Sequence, residues 1–295
     1  MKSVVADPET SVFCTRYETV GGSIFRFISY SHDLVISGET YVANPFYQPT
    51  DITSSADLSP AVHDAEGYFA AAGITRDQLI SGLLDNARVF TFKTSWANPV
   101  VDEEKVSLTI MGKGRLEDDR YVIEQMDQAD ALNQRTGSTV IAKCPYVFCD
   151  ETLDGDIIAS DRSRCTGKRS APDGPSLADY TVTGTVTSVT SQAVWADSGR
   201  SEAVDYFKYG SVLWLTGNNA GLRSFEIKSS LADGTIETHQ AAHYTIEVGD
   251  TYKAHRGCDH DRDGDCSQTY DNAINYGGYP DLITEEAYTY VGKGE

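Results

Sequence analysis

At 295 residues, with 40% hydrophobic and 10% aromatic side chains, the chain can bury one large core or two ordinary ones. Its 44 acidic against 24 basic residues leave a formal charge of -20, which excludes a surface that grips phosphates, because nucleic-acid binding is driven by basic groups that release counterions. No apolar run approaches the roughly 18 residues of a spanning helix, and the opening MKSVVADPETSVF lacks the apolar stretch and small-residue cleavage site of a secretory leader, so a soluble, unsecreted protein is expected.

In chain order, Tyr17 to Thr40 alternates as two strands, with Gly21-Gly22 supplying one turn and Ser37-Gly38-Glu39 the next. Thr75 and Gln78 form a capping box, and Ile80, Leu83, Leu84 and Ala87 recur at the spacing of an amphipathic helix. Val89 to Trp96 returns to strand composition, and Val106, Leu108 and Ile110 alternate in the next strand. Between them, Asn98-Pro99 and Asp102-Glu103-Glu104 fit a solvated loop. Tyr121 to Ile123 reads as the last strand of this half, followed by a short helix over Met126 to Leu132 and the Thr136-Gly137-Ser138 turn. His32 and His63 each precede an aspartate, but no nucleophile motif accompanies them, so both read as surface loop histidines.

The domain boundary is placed at 140/141. The second half opens on AKCPYVFCDETLDGD, with Cys144 and Cys149, and an acidic insertion then leads to Cys165 in SRCTG. From Tyr180 the residues are strongly β-forming: YTVTGTVTSV, GSVLWLTG, LRSFEIKSS, GTIET and HYTIEVGDTYKA, with a hairpin signal at Gly217 to Gly221. The expected fold is mainly β with a few short helices (α+β), in two β-rich domains, 1–140 and 141–295. The C-terminal one is a small β-barrel or sandwich, its two ends brought together where the cysteines lie.

Six cysteines are too few for a disulfide-built domain. The knot HRGCDHDRDGDC carries Cys258 and Cys266, remote from Cys144 and Cys165. A bond between the groups closes a loop of roughly ninety residues and removes about 4 to 5 kcal/mol of denatured-state freedom. Spacing alone leaves three readings of Cys144, Cys165, Cys258 and Cys266 open. Disulfides suit an extracellular protein. Structural zinc favours cysteines two to four residues apart, whereas seven residues separate Cys258 from Cys266. An iron-sulfur cluster tolerates freer spacing, since each thiolate need reach just one iron.

Two further metal readings overlap the knot. Asp259, Asp261, Asp263 and Gly264 reproduce the start of a calcium loop, but its twelfth position is Tyr270 in place of the bidentate glutamate. A zinc hydrolase could draw on His255, His260 and the neighbouring cysteines and aspartates, yet no H-E-x-x-H, G-x-S-x-G or phosphate-loop pattern supports it.

The ending Cys258, Cys266, Tyr270, Asn272, Asn275, Tyr276, Gly278, Tyr279, Pro280 resembles that of the tail-tip hub proteins of siphophages and gene transfer agents, a family similar to the iron-sulfur lambda-type tail-tip proteins. YTVTGTV and GNNAGLR look like that family's central β domain, and SYSHDLVISGETYVA, LISGLLDNARVF and Trp96-Ala97-Asn98-Pro99 like its N-terminal domain. The family's first cysteine pair is close-spaced, whereas here an aspartate-rich insertion separates Cys144 from Cys165, with Cys149 between them. Cys165 is taken as the second ligand because SRCTG resembles the family's A-R-C-G segment ahead of the YTVTG strand. One extra residue lies between Cys258 and Cys266.

The resemblance implies a non-enzymatic virion protein, assembled in the bacterial host cytoplasm and placed at the tail tip or baseplate. It implies a homotrimeric hub that contacts a distal tail protein ring, a tip or fibre protein and a tail-associated peptidase, with no sequence-specific nucleic-acid binding and no membrane span. It further implies a [4Fe-4S] cluster held by Cys144, Cys165, Cys258 and Cys266, as a structural cross-link or a redox sensor. The acidic charge suits a channel that DNA passes without sticking.

Overall fold

A computed structural model of the protein describes residues 5, 7–43, 48–49, 62–68, 74–118, 120–127, 140–154, 164–168 and 170–281. It separates into two compact units, Met1–Thr136 with Gly221–Arg223, and Gly137–Ala220 with Ser224–Glu295.

The first unit is built on nine strands: β1 (Ser11–Glu18), β2 (Ile24–Ile28), β3 (Leu34–Ile36), β4 (Glu39–Ala43), β5 (Gln48–Pro49), β6 (Val62–Tyr68), β7 (Arg88–Ser95), β8 (Glu104–Leu116) and β9 (Arg120–Asp127). They form one sheet in the order β3-β4-β2-β1-β7-β8-β9-β6-β5. β2 and β4 pair in parallel, and each other neighbouring pair is antiparallel. The alternation of β1 sorts its side chains to opposite faces. Tyr17 joins Phe27, Val89, Met111, Tyr121 and Ile123 in one apolar cluster. Val12 and Cys14 join Ile28, Ile36, Tyr41 and Phe92 in another.

Several expectations are corrected here. The capping box at Thr75 and Gln78 forms with both hydrogen bonds, but the helix α1 (Arg76–Ile80) stops after one and a half turns. Gly82 at φ 75 and Asn86 at φ 57 take the left-handed region instead. Leu84 and Ala87 are still buried, in turns over the sheet rather than on a helix. In β8 the fully buried residues are Thr109 and Met111, so the alternating Val106, Leu108 and Ile110 lie on the less covered face. The acidic loop is more tied than a solvated one, since Glu103 accepts from Thr94 Oγ1 and the Ser95 N–H. Met126 lies in β9 rather than a helix, and the remainder of that expected helix, with Thr136 to Ser138, falls outside the described residues. His32 is an exposed loop residue bonded to Ser31. The side chain of His63 lies outside the described set.

The second unit contains the two-stranded pair β10 (Gly167–Lys168) and β11 (Ala171–Pro172), then β12 (Thr181–Thr185), β13 (Ser188–Ser191), β14 (Val194–Ala196), β15 (Ser211–Trp214), β16 (Phe225–Ser230), β17 (Thr235–Thr238) and β18 (Thr251–His255). The last seven are ordered β12-β18-β15-β16-β17-β14-β13. β16 serves both halves of this sheet. Phe225 and Glu226 pair with β15, and after a register shift Ser229 and Ser230 pair with β17, a bend that lets one strand pass between two sheet directions. β12 and β13 lie at opposite edges although just Val186-Thr187 links them. Val186 N–H donates to Asp250 O and Thr187 N–H to Ala196 O. The sheet is therefore curled, but no ladder among the described residues joins its edges, and the barrel alternative is corrected to an open sheet. The expected strand HYTIEVGDTYKA begins at Thr251; residues 243–250 are irregular, with a bend at 243–244, where the buried Asn219 carboxamide exchanges two hydrogen bonds with the Tyr244 backbone, and a turn at 248–249.

Trp195, Trp214 and Tyr252 lie at the centre of the second core, with the Trp195 and Trp214 rings 5.0 Å apart. Trp195→Ala is expected to cost about 3–5 kcal/mol through lost burial and a cavity, measured as a shift in the denaturation midpoint of this unit. A change below about 1 kcal/mol would mean that the curled sheet is not packed around this ring.

Candidate functional site

Three segments of the second unit supply its cysteines. The first is residues 140–154, where a 3-10 turn at Phe148–Asp150 holds Cys149 at φ 57 and Asp150 at φ 53. Two consecutive non-glycine residues in the left-handed region are costly and persist where the surroundings fix them. The Asp150 carboxylate does so, accepting from the N–H groups of Cys165 (3.1 Å) and Thr166 (3.0 Å) and from Thr166 Oγ1 (2.7 Å). The second segment, the turn that carries Cys165, is thereby clasped to the first.

The third segment leaves β18 at His255 and contains Cys258 and Cys266. It is tied to the first by the Cys144 N–H on His260 O at 2.9 Å and by Lys143 Nζ on Asp261 at 3.1 Å. The ending wraps back over the same stretch, with Tyr276 OH donating to Ala142 O and the Tyr279 N–H to Ile141 O. Cys149 packs with Phe148 and Leu177 in a small apolar core that also takes in Leu153, Cys165, Tyr180, Cys258 and Tyr270. Aromatic rings wall it: Phe148 and Tyr180 stand 4.6 and 5.0 Å from Tyr270, and His255 stacks on Phe148.

The structure thus brings Cys144, Cys165, Cys258 and Cys266 into one neighbourhood, and Cys149 with them. Burial, then Asp150, Cys144 and Cys266, pushes the Cys165 thiol up to about 11, against a lowering hydrogen bond from the Cys149 N–H. Burial likewise raises Cys258 to about 12, helped by Asp259, Asp265 and Cys266 and opposed by the His260 N–H. Cys266 is raised by burial and by Cys144, and Cys149 by burial and by Cys165. Cys149, Cys165, Cys258 and Cys266 therefore sit where burial and the negative charge of neighbours disfavour the thiolate. Cys14 is separate, in β1 of the other unit between β2 and β7.

The donor set fits an iron-sulfur cluster. It is all sulfur, drawn from three segments, and two of its members, Cys165 and Cys258, border the small apolar core. N–H groups already point at its sulfurs: His260 N to Cys258 Sγ at 3.3 Å and Asn272 Nδ2 to Cys165 Sγ at 3.7 Å. Among the described residues no three His, Cys, Asp or Glu side chains converge as ligands of a single ion; a cluster offers each thiolate its own iron and accepts ligands that stand further apart.

The calcium-loop aspartates are engaged with their own backbone. Asp259 Oδ1 accepts from the N–H groups of Asp261 and Asp265, Asp261 Oδ1 from that of Asp263, and Asp265 Oδ2 from that of Asp259. Tyr270, at the twelfth position, points inward and donates to Gly257 O.

In His255, Nδ1–H donates to Arg256 O (2.7 Å), which leaves Nε2 to accept from Ser211 Oγ (2.9 Å). Both ring nitrogens of His255, one of the two histidines named in the hydrolase reading, are therefore in use. Burial lowers the pKa of His255, so above the ordinary value of about 6.5 its stabilising contribution is complete. As the pH falls below that value the unfolded chain takes up a proton the folded one resists, and stability is lost. Thermal unfolding between pH 8 and pH 5 should show this decline and a shallower one in His255→Gln; equal slopes would assign it to other groups.

The second unit thus gathers thiols from three segments within a chain of formal charge -20. Residues 3–152 match the family described as baseplate hub protein, N-terminal attachment domain, and residues 205–286 match the family described as phage conserved hypothetical protein BR0599. Because the first match spans just over half of the chain, the protein belongs to that baseplate hub family and is a tail baseplate component of a virion. A chain of the solved structure described as "Virion of native gene transfer agent (GTA) particle" superposes with a TM-score of 0.74 at 20% identity, over 97% of this chain and 91% of that one, a likeness of fold. No curated protein matches the chain. No helix among the described residues is long and apolar enough to cross a membrane.

Sequence reasoning missed Asp150 as a clasp, the Phe148, Tyr180 and Tyr270 wall, and the closeness of Cys149 to Cys165. The aspartate following a cysteine, and the aromatics flanking each cysteine segment, were the available signals.

Proposed function

We propose that this protein is the structural hub at the distal end of a non-contractile siphophage or gene transfer agent tail. A homotrimeric ring joins the tube to the tip, and Cys144, Cys165, Cys258 and Cys266 hold a [4Fe-4S] cluster. Its neighbours would be a distal tail protein ring, a tip or fibre protein and a tail-associated peptidase. The reading rests on the approach of Cys144, Cys165, Cys258 and Cys266 from three segments, with Cys165 and Cys258 at one apolar core and N–H donors aimed at their sulfurs. When bound, the cluster supplies sulfur-iron cross-links and one exchangeable electron; the chain's own residues orient the thiols, exclude water through the aromatic wall and hold the segments in register. Family membership supports a structural rather than an enzymatic role, and the charge of -20 suits a passage that DNA crosses without adhering.

Protein purified without oxygen should be brown and contain iron and acid-labile sulfide. Stoichiometric zinc without sulfide would end the cluster assignment. For the ring, the mass of the purified assembly should correspond to three chains with cyclic symmetry. A particle that stays monomeric in the presence of its tail partners would end that part of the proposal.

A further inference from the structure

Asn272 is just 3% exposed and touches both cysteine groups. Its N–H donates to Cys266 O at 2.7 Å. Its carboxamide Nδ2 donates to Cys165 O at 2.8 Å and faces Cys165 Sγ at 3.7 Å, so both amide hydrogens go to one residue. The acceptor end is held as well: Asn275 Nδ2 donates to Asn272 Oδ1 at 2.8 Å and to Asp173 Oδ1 at 3.0 Å. Room for this bridge comes from Gly174, where a Cβ would press on Cys165 O and Asn272 Oδ1. A buried carboxamide with every polar group committed cannot rotate without stranding one of them, which costs more than the bond itself was worth.

Resting on the cluster reading above, we propose that Asn272 is the positioning residue of the thiol centre: it fixes the place of Cys165 relative to Cys266 and directs an N–H dipole at the Cys165 sulfur. A donor aimed at a ligand sulfur stabilises the more negative, reduced cluster and raises its reduction potential. The Asn275 contact polarises the same amide and strengthens that donor. Two cysteines that lie far apart in sequence are thus joined by one residue, through its backbone N–H to Cys266 and its side chain to Cys165.

The test uses the full chain with Asn272→Leu, which is close in size, uncharged and lacks the donor, and Asn275→Ala, which removes just the outer brace. Thr269→Ala is the control; Thr269 lies in the same loop and bonds to Asp265 and Arg256, not to sulfur. Asn272→Leu should keep iron and sulfide and lower the midpoint potential. In the reduced, metal-free chain, iodoacetamide should label Cys165 several-fold faster than in the wild type. Asn275→Ala should shift the potential in the same direction by less, and Thr269→Ala not at all. A potential and a labelling rate both unchanged in Asn272→Leu would overturn the proposal. If Asn272→Leu fails to hold iron, the potential of Asn275→Ala decides, an unchanged value counting against it. If the wild type itself holds no iron and sulfide, the cluster reading fails separately, and the Cys165 labelling rate alone decides whether Asn272 positions that thiol.

Discussion

Replacing Cys258 or Cys266 with serine is expected to bleach the protein, strip its iron and sulfide, and open the second unit to protease. The size of the effect follows from where these residues lie. Cys258 and Cys266 stand at the far end of a loop of roughly ninety residues, and a cluster that cross-links them to Cys165 constrains the unfolded chain by about 4–5 kcal/mol on the chain-entropy account. The contacts that remain between the segments, such as the Cys144 N–H on His260 O and the exposed pair of Lys143 with Asp261, are individually worth about 1 kcal/mol or less. Cys149→Ser should keep the colour if Cys165 is the ligand, because Cys149 then contributes packing and an N–H that serine retains. Cys14→Ser should leave iron content unchanged, since that thiol is buried in β1 of the first unit. Colour lost in Cys149→Ser but kept in Cys165→Ser would exchange the two assignments. Iron retained in full by Cys258→Ser and Cys266→Ser would remove the knot from the site.

Local patterns in the sequence foretold local structure. The Gly21-Gly22 and Ser37-Gly38 turns, the Thr75 capping box and most of the β-forming runs after Tyr180 act within a few residues and lie where their chemistry places them, the first half of HYTIEVGDTYKA excepted. What escaped is set by partners far away. Nothing in the spacing of YTVTGTVTSV says that its two halves belong to opposite edges of one sheet, because that depends on β18 entering beside β12. The apolar alternation of β8 correctly gave a strand, yet its core face is chosen by what lies over it, and Thr109 and Met111 are buried instead. The site divides the same way. Cysteine types and their grouping were visible, whereas the Asp150 clasp and the Asn272 bridge join residues 15 and 107 positions apart. The calcium-like aspartates are ambiguous for a related reason: short carboxylates that cap backbone N–H groups in a tight turn have the same spacing as carboxylates that face an ion.

Gly257→Ala is expected to disable the cysteine centre without removing any sulfur. Gly257 immediately precedes Cys258, and a Cβ there would overlap the Tyr209 carbonyl and the Gly210 nitrogen, while a Cβ on Gly210 would overlap His255 O. The two glycines allow the chain leaving β18 to lie directly against the chain entering β15, and that approach sets the height at which Cys258 enters the apolar core. The obstructing atoms are backbone, so no side chain can turn aside. The Cys258 segment must move, and overpacking of this kind costs about 1–3 kcal/mol, here at the upper end. Moving Cys258 also withdraws Tyr270, whose hydroxyl donates to Gly257 O and whose ring faces Phe148 and Tyr180. Gly249→Ala separates this from a general intolerance of alanine: Gly249 has φ +102 with open space around it, so the substitution strains one turn by about 1–2 kcal/mol and leaves the thiols in place. Melting temperature should fall in both variants, but iron content should fall in Gly257→Ala alone. Full iron occupancy in Gly257→Ala, with an unchanged melting temperature, would show that Cys258 is not positioned by this close approach.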